Sequence, residues 1–262
     1  MGEPWKTKRP RIDVSEGGAI PRKTDRGLFT AWRVAFIGSV AAVVGLVAFK
    51  PDPYRTILAF LPDGILITFK VTVLSIIFSM ILGLIAGLGR ISKNRIINGI
   101  ASLYVEVIRG IPLLVQLFYI YYALGRVIRL EDITCAVIAM SICYGAYIAE
   151  IIRAGIEAVP DGQTEAARSL GMTPYQTMRH VILPQAVKTI LPPVGNETVA
   201  LLKDSSLVSI LAVSDLLRRG REYASESFNY FEAYTMVALI YLIITLVLSK
   251  LVGIMEEKLN VD

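Results

Sequence analysis

Charge is scarce in this sequence. Asp, Glu, Lys and Arg make up 19% of its 262 residues, where a soluble domain carries about 25%. Metal-binding and reactive side chains are scarcer: two cysteines and one histidine. Cys135 and Cys143 stand in one apolar block, too far apart in sequence to share a helical turn. A paired metal site is therefore excluded, and both read as small buried residues. His180 follows Arg179 in a basic loop, with no nucleophile or acid beside it to form a catalytic set. The phosphate-cradling pattern G-x-x-x-x-G-K-[ST] is missing, so the chain is not itself an ATPase of that kind.

What the sequence has is apolar surface. Hydrophobic residues make up 54%, mean hydropathy is +0.58, and the apolar residues come in long blocks. A membrane span needs roughly 17–25 such residues. Six blocks qualify: 31–50, 65–89, 101–124, 133–152, 190–213 and 233–252. The first is short and ends at Lys50-Pro51. The third is interrupted at Arg109-Gly110-Ile111-Pro112, because proline removes a helical hydrogen bond and crowds the preceding turn. The fifth is expected to break at Pro192-Pro193 and again at Lys203-Asp204-Ser205-Ser206. Residues 1–30 are polar, basic and rich in Pro and Gly, which reads as a flexible tail. Their charged stretch is too long for a secretory signal.

The net charge of +5 points to orientation rather than to nucleic acid, since Lys and Arg gather in cytoplasmic loops. The tail, the 90–100 connection and the 153–188 connection are all basic, and six spans put all three on one side. The N-terminus is then cytoplasmic. The connection 214–231 disagrees: it belongs outside yet carries Arg218, Arg219 and Arg221.

The stretch 157–184 is the longest internal hydrophilic one, and its local chemistry specifies two short helices. Asp161 is a candidate N-cap and Gly171 a candidate C′ residue. Thr173, Pro174 and Gln176 form a capping box with Pro at the first helical position. Pro184 is expected to stop or kink the second helix. Leu170, Met172, Tyr175 and Met178 give the loop an apolar surface, which suggests a protein contact. The pattern also has the outline of a DNA-reading helix-turn-helix, but about 25 residues between spans cannot build the core that such a motif needs.

Glu165-Ala166-Ala167, Gly171 and Leu183-Pro184 resemble the EAA loop of binding-protein-dependent ABC importer permeases, with Val181 where the family usually has Ile. The resemblance extends over about 57–258. Arg109 to Gln116 resembles the RGTPLLVQ segment of the polar-amino-acid subfamily, Gly145 to Glu150 its GAYxAE, and Lys203 to Leu207 its KDTSL. The resemblance implies an all-α membrane protein, a type I ABC importer transmembrane domain over 61–255. It has five core helices and one extra N-terminal helix at 31–50. It implies a non-enzymatic permease for a polar amino acid in the bacterial inner membrane, with no resident cofactor. ATP would be bound by a separate ABC ATPase subunit. The other implied partners are an external amino-acid-binding protein, a second permease copy or paralogue, and the lipid bilayer; nucleic acid is not among them. Glu165, Ala166, Ala167, Gly171, Leu183 and Pro184 would couple to the ATPase. The competing reading is a self-sufficient ion-coupled transporter or channel, which predicts inverted repeats that are not evident.

Charges in apolar segments cost at least about 2.5–3.5 kcal/mol at the bilayer centre. Glu106/Arg109 and Glu150/Arg153 read as pairs that fix helix ends, and Lys70 as a snorkelling lysine. Asn196, Glu197, Lys203, Asp204 and Ser205 lie on a broken segment, where freed backbone and side-chain polar groups can line a path for a zwitterion.

Overall fold

A computed structural model describes residues 30–259. The expected tail lies outside them except for Thr30, whose Oγ1 accepts from Arg33 N and caps the first helix. Among the described residues the chain is helical, without strands. The order is α1 (Ala31–Phe49), α2 (Pro51–Phe60), α3 (Pro62–Arg90), α4 (Arg95–Gly110) and α5 (Leu113–Tyr119), which a π-helical turn (Ile120–Leu124) prolongs. Next come α6 (Gly125–Ile128), α7 (Asp132–Glu157), α8 (Asp161–Ser169), α9 (Pro174–Thr177) and a second π turn (Met178–Ile182). Then follow α10 (Leu183–Asp204), a 3-10 stretch (Ser205–Leu211), α11 (Leu216–Ser227) and α12 (Tyr230–Leu259).

Four helices, α1, α3, α7 and α12, are long and apolar enough to cross a membrane, and α4 with α5 and its π turn forms a bent fifth. The remaining expected span, the fifth block at 190–213, begins within α10 and runs on into the 3-10 stretch. The 22 residues of α10 reach about 33 Å at 1.5 Å per residue, enough in length, but Lys188, Glu197, Lys203 and Asp204 make it too polar to qualify by composition.

The bend between α4 and α5 is 103°. Ile111 precedes Pro112 and is extended (φ −109, ψ 129), as a residue before proline prefers. The carbonyls released at the end of α4 are recovered locally. Gln116 Nε2 donates to Ile108 O and Ile111 O, both at 2.8 Å, so a buried side-chain amide replaces the broken helical ladder.

Helix α7 is the axis of the molecule, with α3, α4, α5 and α10 packed around it. Its seam with α3 is made of small residues. Ser79 Oγ donates to Ser141 O and Ser141 Oγ to Ser75 O, each at 3.3 Å. A Cβ added at Gly83 would lie 2.5 Å from Ile148 Cγ2, and one at Gly87 would lie 2.9 Å from Ala149 O. In lipid, where apolar burial drives little helix association, such backbone proximity is what holds helices together. A second cluster joins α2, α11 and α12 through Tyr54, Ile57, Leu61, Leu216 and Met236. The extra helix α1 leans on α12, and Trp32 Nε1 donates to Leu246 O at 2.8 Å.

The arginines of α11 have structural work that accounts for their place. Arg218 pairs with Glu222 at 2.8 Å, Arg219 with Glu222 and Asp63, and Arg221 donates to Ser209 O. Asp215, fully buried, caps α11 through Leu217 N and Arg218 N and accepts from Tyr241 OH at 3.2 Å. Burial pushes its carboxyl up to about 6, against these hydrogen bonds.

Three local expectations differ from the structure. Pro160, not Asp161, is the cap residue of α8, and Asp161 opens the first turn, where its charge meets the helix dipole. Pro184 does not stop a helix: the chain is helical from Pro174 to Asp204. The π turn absorbs the proline. Leu183 N–H reaches back five residues to Met178 O, and this widened turn makes room for the ring. Pro192 and Pro193 also lie inside α10 without ending it, and the break comes only at Ser205. The two prolines line an open cavity of about 590 Å³, so the backbone groups they release are not sealed in apolar surroundings.

Gly87→Leu should therefore cost at least about 1–3 kcal/mol by overpacking against a backbone that cannot give. Thermal unfolding of the detergent-solubilised protein measures it. Gly99→Leu, where no atom lies within 4 Å of the added Cβ, should melt like the wild type. Equal melting of the two variants would refute the tight seam.

Candidate functional site

Two sites emerge, one at the 157–184 loop and one between the broken helices. The loop is shaped by caps. Helix α8 ends in a double hydrogen bond, Met172 N to Ala167 O at 3.1 Å and Gly171 N to Arg168 O at 3.0 Å. Gly171 sits at φ +82, the left-handed conformation this ending needs. Thr173 Oγ1 accepts from Gln176 N, and Gln176 Oε1 accepts from Thr173 N, so the capping box is complete. Gln185 Nε2 donates to Gln163 Oε1 at 3.3 Å and ties α8 to the start of α10.

The six loop residues named from the sequence divide by exposure. Glu165 and Ala166 are exposed on α8. Ala167 is 4% exposed; it packs on its own chain and offers no surface to a partner. Gly171 makes the turn. Leu183 and Pro184 belong to the first turn of α10. The apolar surface is carried by Leu170, 81% exposed, and Tyr175, 68% exposed.

Nearby, a charge network gathers helix ends. Glu150 pairs with Arg90 of α3 and with Arg153 of its own helix, and Arg153 also reaches Glu157. The Asn98 amide donates to Arg90 O, so α4 is held too. The expected Glu150/Arg153 pair thus joins three helices. The expected Glu106/Arg109 pair is replaced: the Arg109 guanidinium lies 5.2 Å from the Tyr147 ring centroid.

The second site is a cavity of about 270 Å³ lined by Arg109, Pro112, Tyr144, Tyr147, Glu197 and Asp204, among others. The bend at Ile111–Pro112 delivers Arg109, α7 supplies the tyrosines, and α10 supplies the carboxylates. Glu197 and Asp204 are two helical turns apart on one face of α10. Tyr144 OH donates to Asp204 Oδ2 at 2.8 Å, and the two tyrosine rings are 6.0 Å apart. A guanidinium, two carboxylates and two phenols converge in one small polar space. Such a set can hold a molecule bearing both an ammonium and a carboxylate.

Of the five path residues named from the sequence, the structure brings together only Glu197 and Asp204. Asn196 lines the separate cavity with Pro192, Pro193 and Glu256. Lys203 is exposed and lines neither cavity. Ser205 is fully buried and donates to Leu202 O at 2.7 Å, closing the last turn of α10. Sequence reasoning missed Arg109, Tyr144 and Tyr147 as site residues. The one available signal was that Arg109 and Tyr147 stand inside the two segments already singled out.

Residues 79–261 match the family model described as binding-protein-dependent transport system inner membrane component. The glutamine transport system permease protein GlnP of Escherichia coli is 38% identical over 202 residues, covering 76% of this chain and 92% of that protein. The L-cystine transport system permease protein TcyB of Bacillus subtilis is 44% identical over 202 residues, covering 76% and 86%. The crystal structure of an amino acid ABC transporter with histidines superposes with a TM-score of 0.74 at 42% identity, covering 82% of this chain and 98% of that one. The MetNI methionine ABC transporter, at 22% identity and a TM-score of 0.68, shares the fold. By family model, relatives and fold together, this chain belongs to the inner membrane components of binding-protein-dependent transport systems.

Proposed function

We propose that the chain is the permease subunit of an ATP-driven importer for a polar amino acid. The cavity at Arg109, Glu197 and Asp204 carries this reading, because its charges match a zwitterion: Arg109 suits the α-carboxylate, and Glu197 and Asp204 suit ammonium groups. The names of relatives, which refer to glutamine, cystine and histidine, support the same substrate class.

ATP is bound by a partner subunit in this reading. The partner docks on α8, the turn after it and α9, where Glu165, Ala166, Leu170 and Tyr175 are exposed. An external binding protein delivers substrate to the opposite face, a second permease copy or paralogue completes the path, and the N-terminus is cytoplasmic. The linkage between dock and cavity is covalent and helical. Residues from Pro174 to Asp204 are one continuous helical run, so force on α8 reaches Glu197 and Asp204 along α10.

Glu197→Gln and Asp204→Asn, tested for uptake at matched expression, should each lower transport tenfold or more. Losing one hydrogen-bonded charge costs about 2–5 kcal/mol, and about 1.4 kcal/mol is tenfold. Wild-type rates and selectivity in both would sink the assignment. Gly171→Val places a branched side chain at φ +82, a strain of at least about 1–2 kcal/mol on the turn. It should abolish vanadate-sensitive uptake while leaving membrane insertion intact. Uptake that persists without ATP and follows a proton gradient would instead mark an ion-coupled transporter.

A further inference from the structure

A third cavity, of about 490 Å³, runs along the outside of α3 and α7. It shares Ser141 with the serine seam but none of the residues of the polar cavity. Cys143, Tyr144 and Tyr147 turn one face of α7 to the polar cavity, while Thr134, Val137 and Ile138 turn another to this groove. Its walls are apolar: Leu74, Phe78, Ile81 and Leu82 on α3 face Ile133, Val137, Ile138 and Ile142 on α7. At one end stand two charges, Lys70 and Glu131. Both are exposed, and neither has a hydrogen-bonding or ionic side-chain partner among the described residues.

The length is informative. From Lys70 to Leu82 is 12 residues, or about 18 Å of helix, and one leaflet of a bilayer with a hydrocarbon core of about 30 Å is about 15 Å deep. The groove therefore has the length of one leaflet, and headgroup depth for its charges would put its apolar walls at acyl depth.

We infer that this groove is a binding site for a phospholipid whose headgroup carries a phosphate and a primary amine, as in phosphatidylethanolamine. Lys70 pairs with the phosphate, Glu131 accepts from the ammonium, and one acyl chain lies between α3 and α7. Charge complementarity selects this occupant over a helix of a second copy. An apolar helix laid over the groove would bury both charges unpaired, at several kcal/mol each, whereas the headgroup brings a partner for each. The lipid would also cover the outer face of the α3–α7 seam.

Native mass spectrometry of the full chain tests this, with delipidated protein titrated separately with phosphatidylethanolamine, phosphatidylcholine and phosphatidylglycerol. The wild type should retain one phosphatidylethanolamine several-fold more tightly than either other lipid. Lys70→Ala should weaken all three. Glu131→Gln should remove the preference and strengthen phosphatidylglycerol. Ile138→Trp, which fills the groove and keeps both charges, should lose the bound lipid while the protein stays monodisperse. Retention and preference unchanged in all three variants would overturn the site. So would a disulfide between two copies carrying Phe78→Cys, which would give the groove to a second permease.

Discussion

The contact between α3 and α7 is the constraint on which the rest depends. Soluble helices are pressed together because water rejects their apolar faces, but lipid exerts no such pressure. Here the helices meet because Ser75, Ser79, Gly83 and Gly87 on α3 and Ser141 and Gly145 on α7 carry almost no side chain. That lets Gly87 come so close to the Ala149 carbonyl that an added Cβ would lie 2.9 Å from it. The seam fixes the rotation of α7 about its own axis. That rotation in turn decides which residues reach the polar cavity and which face lipid. A slip of one residue would turn Tyr144 and Tyr147 by about 100° and dismantle the site.

The polar cavity gathers beside two helix interruptions. The α4–α5 bend frees carbonyls that Gln116 recovers, and it swings Arg109 toward Tyr147. The end of α10 at Asp204 brings a carboxylate to Tyr144. Both interruptions border the same cavity, as expected where irregular backbone in a membrane protein must line a cavity or be buried in protein. A second charged group, Arg90, Glu150 and Arg153, ties helix ends together away from that cavity.

Much of this was legible in the sequence, and what was legible was local. The turn at Gly171, the capping box at Thr173 and the bend at Pro112 each depend on residues within a turn of one another, and each took the expected form. The misreadings were of two kinds. Pro184 reads as a stop or a kink and Pro192-Pro193 as a break, yet none of the three ends a helix, because a proline's cost is local while its relief is not. A π turn relieves one and an open cavity the other two. The site residues were misjudged because convergence across helices is invisible along the chain. Asn196 and Glu197 are neighbours in sequence, yet a step of 100° on α10 sends them to different cavities. Arg109 and Tyr147 could be paired only once α7 had been placed beside α4.

The continuity of α9, the π turn and α10 gives the proline misreading a mechanical meaning. Had Pro184 broken the helix, a hinge would separate the exposed residues of α8 from Glu197 and Asp204. Instead 31 residues, from Pro174 to Asp204, form one continuous helical run, about 46 Å of helix at 1.5 Å per residue. Gln185 and the capped turn fasten α8 to its near end, and the cavity carboxylates sit toward its far end. A continuous helix passes displacement on more stiffly than two helices joined by a loop. The helical run gives way at Ser205 to a 3-10 stretch of tighter, weaker turns. Motion applied at the loop would therefore appear beside Asp204, where the helix ends, rather than being lost on the way through the bilayer.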